Sequence, residues 1–358
     1  MTEDGEGFLY PEVDASRCVD CGLCSRVCVY QREEPLRKKE PQCYAAAAMD
    51  DALRAASSSG GVFSLLAESV LAAEGVVYGV AMDGDLRACA QTRVTHASEL
   101  PKLRGSKYLQ AGVGETYRSV KRDLDAGKQV LFTGVPCQID ALKLFLDREY
   151  ANLYCAEVLC HGAPSPLLWR TYVEYLEERH QTQIQSVRFR SKKTGWKKFG
   201  LAIDGTGFHQ YQSLSDDPFL VMFLRDYCLR PSCYDCQAKK LESAADLTLG
   251  DFWGIWKTAP ELDDDKGTSL VMVQSDRGAE LFERIRGSII CAEMPYTISV
   301  ASNSAYCSSV GRPAERDAFF TDLQSISFDE MIRKYCALSF KAKLKKTALY
   351  KTLRKMIS

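Results

Sequence analysis

Histidine is scarce, at four residues in 358, and no stretch supplies eighteen consecutive apolar residues. The first shortage leaves mixed cysteine–histidine zinc sites poorly supplied. The second excludes a membrane-spanning helix on hydropathy grounds. Net charge is nearly absent: 46 basic residues against 47 acidic ones give −1, so bulk electrostatics offer no reason for a nucleic-acid partner. The G-x-G-x-x-G fingerprint of dinucleotide binding is missing. The opening residues, "MTEDGEGF", are acidic and lack the apolar core of a secretory signal. The expected compartment is therefore the cytoplasm.

Against these absences stand fifteen cysteines. Disulfides are rare in a reducing compartment, so clustered thiols in a chain of this length read as soft metal ligands. The first group is "CVDCGLCSRVC", with Cys18, Cys21, Cys24 and Cys28 at gaps of two, two and three. Bacterial ferredoxins use this run for a [4Fe–4S] cluster, but their fourth cysteine ligates the other cluster of a two-cluster module. No second run of this kind exists, which leaves Cys28 without an evident cluster. The second group is "CLRPSCYDCQAK", where Cys228, Cys233 and Cys236 form a C-x4-C-x2-C triplet needing one distant cysteine. Cys137 in "GVPCQ" and Cys160 in "LCHG" each follow a predicted strand, where α/β proteins build sites. Cys155 reads as a small core residue, and Cys89, Cys291, Cys307 and Cys336 as packing or incidental.

Four glycine-bearing loops could serve a cofactor. "SSSGG" (Ser57 to Gly61) opens a predicted helix, with Ser58 or Ser59 as its cap, and offers amides and hydroxyls to a phosphate. "LRGSKYLQ" sets Lys107 and Tyr108 after Gly105 and Ser106; "TGVPCQ" and "CHGAPS" complete the set. Alanine-rich "AAAAMDDALRAA" (Ala45 to Ala56) reads as a helix on propensity. Alternating apolar strands, strand–loop–helix units and a hairpin turn at "DGTG" predict an α/β (α+β) fold. Its expected parts are a partial ferredoxin-type segment (1–40), a mixed-sheet flavin-binding core (41–170), a second α+β domain carrying the second cysteine group (171–330) and a basic tail (331–358). The tail, with Arg333, Lys334, Lys341, Lys343, Lys345, Lys346, Lys351, Arg354 and Lys355, reads as a solvated helix or as a dock for a membrane surface or acidic partner.

The ordered stretches "SSSGGVFS", "LRGSKYLQ", "VLFTGVPCQIDALK", "LCHGAPSPLLW", "FRSKKTGW", "DDPF", "RPSCYDCQAK", "ADLTLGDFWGI" and "KGTSLVMV" resemble the beta-subunit family of coenzyme F420 hydrogenases and dehydrogenases. That family also includes hydroxymethyl-chlorophyll a reductase. The resemblance implies an oxidoreductase in which [4Fe–4S] clusters exchange electrons with FAD, and the flavin exchanges a hydride with a deazaflavin or another carrier. It implies that Ser58, Ser59, Gly60, Gly61, Gly105, Ser106, Lys107, Tyr108, Gly134, Pro136 and Gln138 border the flavin. It also implies that Cys228, Cys233 and Cys236 hold a cluster completed by Cys137 or Cys160. A donor or acceptor protein is the expected partner. The alternatives are a non-catalytic electron-relay or docking subunit, and a zinc-stabilised interaction module. Family members often carry a full two-cluster ferredoxin, so this chain is expected to lack the first half. Cys18, Cys21 and Cys24 would then form a three-cysteine site for a labile or [3Fe–4S] centre, with Cys28 or Cys43 open to recruitment. "GDFWG" reads as a packed turn with Trp253 buried.

Overall fold

The structure is a computed structural model that describes residues 1–31, 40–239 and 244–337. Thirteen strands occur among these residues. They are β1 (Thr2–Glu3), β2 (Leu9–Tyr10), β3 (Gln42–Ala48), β4 (Val76–Met82), β5 (Cys89–Val94), β6 (Val130–Gly134), β7 (Leu153–Val158), β8 (Ile184–Ser191), β9 (Gly200–Gly205), β10 (Phe208–Ser213), β11 (Leu247–Asp251), β12 (Ser269–Val273) and β13 (Ile289–Met294). Eight of them form one mixed sheet in the order β13-β3-β12-β11-β7-β6-β4-β5. Its centre, β11-β7-β6-β4, is parallel, and the strands on either side run antiparallel. A three-stranded antiparallel sheet, β10-β9-β8, stands beside it. The fold is therefore α/β, as expected.

The parallel strands are buried on both faces, which is why they read as continuous apolar runs. On one face the helix Val62–Ala72 packs Val62, Leu66, Ala67 and Val70 against Val77, Leu131, Tyr154 and Val271. On the other, the helices Thr116–Asp125 and Pro136–Leu146 bring Val120, Leu124, Ile139 and Leu142 onto Tyr78, Phe132 and Cys155. A further core surrounds the helix Pro166–His180, whose Leu168, Trp169, Tyr172, Val173 and Leu176 follow helical spacing and are all buried. The expected boundary at 170–171 falls within this helix, and β11–β13 from beyond it complete the sheet begun by β3–β7.

The alanine run corrects a propensity reading: Gln42–Ala48 is β3, and the helix begins only at Asp51, capped by the Asp50 carboxylate. Four successive alanines are buried between β12 and β13. The serine–glycine loop packs closely on this strand: a Cβ on Gly60 would stand 2.4 Å from the Ala46 carbonyl oxygen, and one on Gly61 3.2 Å from the Ala48 Cβ. Tertiary packing outweighs intrinsic preference here.

The first ten residues are part of the body. Phe8 is fully buried beside Phe320, and Arg316, itself buried, pairs with Glu6 and donates to the Leu229 carbonyl. Of the basic tail only Arg333 and Lys334 fall among the described residues. Arg333 faces Glu330 and Lys334 pairs with Asp322, so both have acidic neighbours. The seven further cations, like most of the linker 32–42, lie outside the described residues.

Candidate functional site

Strands β6 and β7 are parallel neighbours, and their C-terminal ends carry two thiols to the same place. Cys137 is the second residue of the helix Pro136–Leu146 that follows β6, and Cys160 lies just past β7. Cys233 and Cys236 come from the short 3-10 turn Pro231–Asp235 and its end. That turn is tied to the β7 loop: the Arg230 amide donates to the Ala163 carbonyl at 2.9 Å, and the Ala163 amide donates to Cys233 Sγ at 3.4 Å. Burial, with the sulfurs of Cys233 and Cys236 acting in the same direction, pushes the Cys160 thiol up to about 12. Burial, then Cys160, Cys236 and Cys233, hold Cys137 well above the ordinary thiol range. Burial raises Cys233 too, with Cys236 acting in the same sense. Cys137, Cys160 and Cys233 thus lie in one desolvated space, with Cys236 as their common neighbour.

The donor chemistry of that set fits a polynuclear iron–sulfur centre, since soft thiolates alone supply it and a cationic core would relieve their repulsion. No group of three or more His, Cys, Asp or Glu among the described residues is arranged to hold a single metal ion.

Cys228 does not join this set. It is fully buried in the apolar core with Leu229 and Phe223, burial pushes its thiol up to about 12, and its charged neighbours are Asp226 and Arg316. The sequence triplet is split because the chain turns between Leu229 and Cys233, sending Cys228 inward and Cys233 toward the β7 loop.

The N-terminal run has a different character. Cys18, Cys21 and Cys24 are exposed, Cys28 is half-buried, and their segment holds only the four-residue helix Leu23–Arg26. Asp20 and Gly22 take positive φ of 51° and 68° to loop the chain between the thiols. Cys43 is buried within β3, which removes it as a substitute ligand for this run. Just past Cys28, the turn Val29–Gln31 packs against the helix Pro136–Leu146 and the turn Gln237–Lys239. There Tyr30 has Cys137, Cys236 and Cys233 as neighbours, and burial pushes its phenol up to about 12. One tyrosine therefore reaches from the first cysteine group to the second.

The glycine loops are held mainly by one another and by the C-terminal half of the chain. Gly61, at φ +88°, caps the helix Val62–Ala72, so neither Ser58 nor Ser59 serves as the expected cap. The Ser58 hydroxyl instead accepts from the Ser106 amide at 2.8 Å, joining two of the loops. Ser59 donates to the Thr268 carbonyl and the Gly60 amide to Ser269 Oγ. Beneath them the Lys192 ammonium donates to the carbonyls of Arg54, Ser59 and Lys266; burial and the neighbouring Arg54 pull it down to about 8. Lys107 is folded back onto the carbonyls of Lys102 and Arg104, both at 2.9 Å, and burial pulls it to about 8. At the third loop Gln138 reaches the Val135 amide and the Ala111 carbonyl, and meets Gln91. Gly134 is packed against both glutamines, while Pro136 starts the helix that carries Cys137.

Sequence reasoning missed one further group. Asp251 of "GDFWG" accepts from Trp196 Nε1 at 2.7 Å through one oxygen and from Arg190 Nη1 through the other. Trp253 is not fully buried; it stacks on Trp196 at 4.9 Å and 4°. The Arg190 guanidinium lies 4.2 Å over the Phe199 ring and beside Tyr108. The stretches "FRSKKTGW" and "GDFWG" were the signal, since both belonged to the resemblance without a role.

Gln91 Oε1 is buried without a hydrogen-bond partner among the described residues, and the Arg190 guanidinium is enclosed by Asp251, Phe199 and Tyr108. Gly105, at φ +82°, has open space where a Cβ would stand.

Residues 127–297 match the family model for the C terminus of the coenzyme F420 hydrogenase/dehydrogenase beta subunit. Among solved structures, the chain is similar to one from "Xenon derivatization of the F420-reducing [NiFe] hydrogenase complex from Methanosarcina barkeri". The two are 16% identical with a TM-score of 0.51, over 76% of this chain and 93% of that one, and the likeness is one of fold. No curated protein matches. Through residues 127–297 the chain belongs to the coenzyme F420 hydrogenase/dehydrogenase beta-subunit family.

Proposed function

We propose that this chain is an iron–sulfur flavoprotein subunit that passes electrons between a [4Fe–4S] cluster and FAD, working with a donor or acceptor protein. Family membership supports an oxidoreductase role in general. The observation that carries the specific reading is the convergence of Cys137, Cys160, Cys233 and Cys236 in one buried space. These four would hold the cluster, which supplies one-electron steps when bound. Ser58–Gly61, Gly105–Tyr108 and Gly134–Gln138 would hold FAD, which pairs electrons and exchanges a hydride with a small carrier when bound.

The chain's own part is positioning. The ends of β6 and β7 set two thiols in place, and Arg230 and Ala163 tie the turn bearing Cys233 to the β7 loop. Lys192 holds the serine–glycine loop through the Ser59 carbonyl. The Val29–Gln31 turn sets Tyr30 against the interior thiols, giving electrons from the N-terminal cysteine run a short way in.

The test is iron, sulfide and flavin quantification on the full chain purified without oxygen, for Cys160→Ser and Cys228→Ala. Cys160→Ser should lose the broad absorption near 400 nm contributed by the interior cluster, and Cys228→Ala should keep it. The reverse pattern refutes the assignment, and a colourless, zinc-loaded protein refutes the redox reading.

A further inference from the structure

A buried cation stands beside the interior thiols. Lys239 is the third residue past Cys236, and only 5% of its surface is exposed. Its amide donates to the Cys236 carbonyl at 3.3 Å, and its ammonium donates to the His161 carbonyl, next to Cys160, at 2.7 Å. The side chain therefore runs from the turn that follows Cys236 to the loop that carries Cys160. The ammonium acts on the thiols of both Cys160 and Cys233, in the sense opposite to burial.

Taking an ammonium out of water is costly, and one neutral carbonyl returns only part of its lost hydration. Among the described residues Lys239 has no carboxylate partner, and Asp226 is taken by His161 at 2.6 Å. What offsets the charge is then the thiol site itself. Protonated sulfurs are neutral and offer a cation little. Four thiolates around a cluster core carry a net negative charge, and one-electron reduction adds to it.

The other charges near these thiols are committed elsewhere or act in the opposite sense. Arg230 acts on Cys233, but its guanidinium lies 4.0 Å over the Tyr10 ring and donates to the Leu9 carbonyl, so the N-terminal strands engage it. Asp140 acts on Cys137 and adds to the repulsion there. Lys239 is the buried cation that reaches both the β7 loop and the second cysteine group.

We propose, on the basis of the cluster reading above, that Lys239 sets the reduction potential of the interior iron–sulfur centre. The donor gives up one electron and is oxidised; the centre is reduced and gains one unit of negative charge, with no bond made or broken at Lys239. A fixed cation in a poorly screened interior favours that reduced form. Lys239 touches no substrate and acts only through the field it places on the centre.

The test is a redox titration followed by electron paramagnetic resonance, on the full chain purified without oxygen. The signal read is the one that Cys233→Ser removes. Lys239→Gln keeps a donor for the His161 carbonyl and loses the charge. Its centre should shift at least tenfold toward the oxidised form, a fall of about 59 mV for one electron, with iron and sulfide unchanged. Lys239→Arg, which keeps the charge, should stay within threefold of the unmodified protein. A Gln variant within threefold overturns the proposal, and so does an equal shift in the Gln and Arg variants. Should Lys239→Gln lose its iron, Lys239→Arg decides. Iron retained at an unshifted potential upholds the need for charge; iron lost again makes Lys239 a structural residue and overturns the proposal. If the unmodified chain binds no iron, the cluster reading fails first and this proposal with it.

Discussion

The chain carries two groups of four cysteines, and they are built in opposite ways. Cys18 to Cys28 lie within eleven consecutive residues on a surface segment with a single turn of helix, and three of the four are exposed. Cys137, Cys160, Cys233 and Cys236 span a hundred residues and meet only because β6, β7 and the 231–235 turn end at one place. The local group owes its arrangement to spacing and two positive-φ residues; the interior group owes its arrangement to a sheet. The first group is therefore open to solvent, whereas the arrangement of the second depends on the stability of the whole fold.

This contrast can be broken most sharply with ligand variants. Cys233→Ser should abolish the interior centre, read as loss of its iron and sulfide, while Cys21→Ser should leave that centre intact. Equal losses from both would mean that the two groups are one site. A pH titration addresses the fold beneath the interior group. Burial pushes the Asp217 carboxyl up to about 7, from an ordinary value of 3.8. The folded protein thus keeps this proton to higher pH than the unfolded chain, and stability should decline as pH rises from about 4 to about 7. Asp217→Asn, which retains an acceptor for the Leu220 amide, should flatten that decline by an amount on the order of a few kcal/mol in urea unfolding. An unchanged slope would show that the carboxyl titrates normally.

Gly60→Ala is expected to destabilise by about 3 kcal/mol, since its Cβ would meet the Ala46 carbonyl oxygen and the Ser269 amide at 2.4 and 2.9 Å. Gly105→Ala, with open space but φ +82°, should cost about 1 kcal/mol. A Gly60 variant no less stable than the Gly105 one would mean that the serine–glycine loop is not pinned to β3 and β12. Cys228→Ala should cost about 1 kcal/mol for a small cavity, with iron content unaltered. Loss of iron there would return Cys228 to the ligand set.

Much of the architecture was legible because its signals are local. The helix at 166–180 announces itself through Pro166 and the spacing of Trp169, Tyr172, Val173 and Leu176, and the 204–207 turn through its glycines. Strand β3 was not legible, because alanine carries no signal of burial and favours helix when unpacked. The split of Cys228 from Cys233 was hidden for a related reason. Spacing along the chain says which thiols can be neighbours, and the turn between them decides which are.

From the residues alone came the α/β class, the family, the two cysteine groups and the glycine loops, all of which depend on short-range pattern and composition. Tertiary structure alone decided that Cys137 and Cys160 both stand with Cys233 and Cys236, that Lys192 supports Ser59, and that Arg190 is enclosed by Asp251, Phe199 and Tyr108. Each of these is a meeting of segments far apart in the chain, set by strand order and packing. A linear pattern carries no record of which distant backbone will lie beside it.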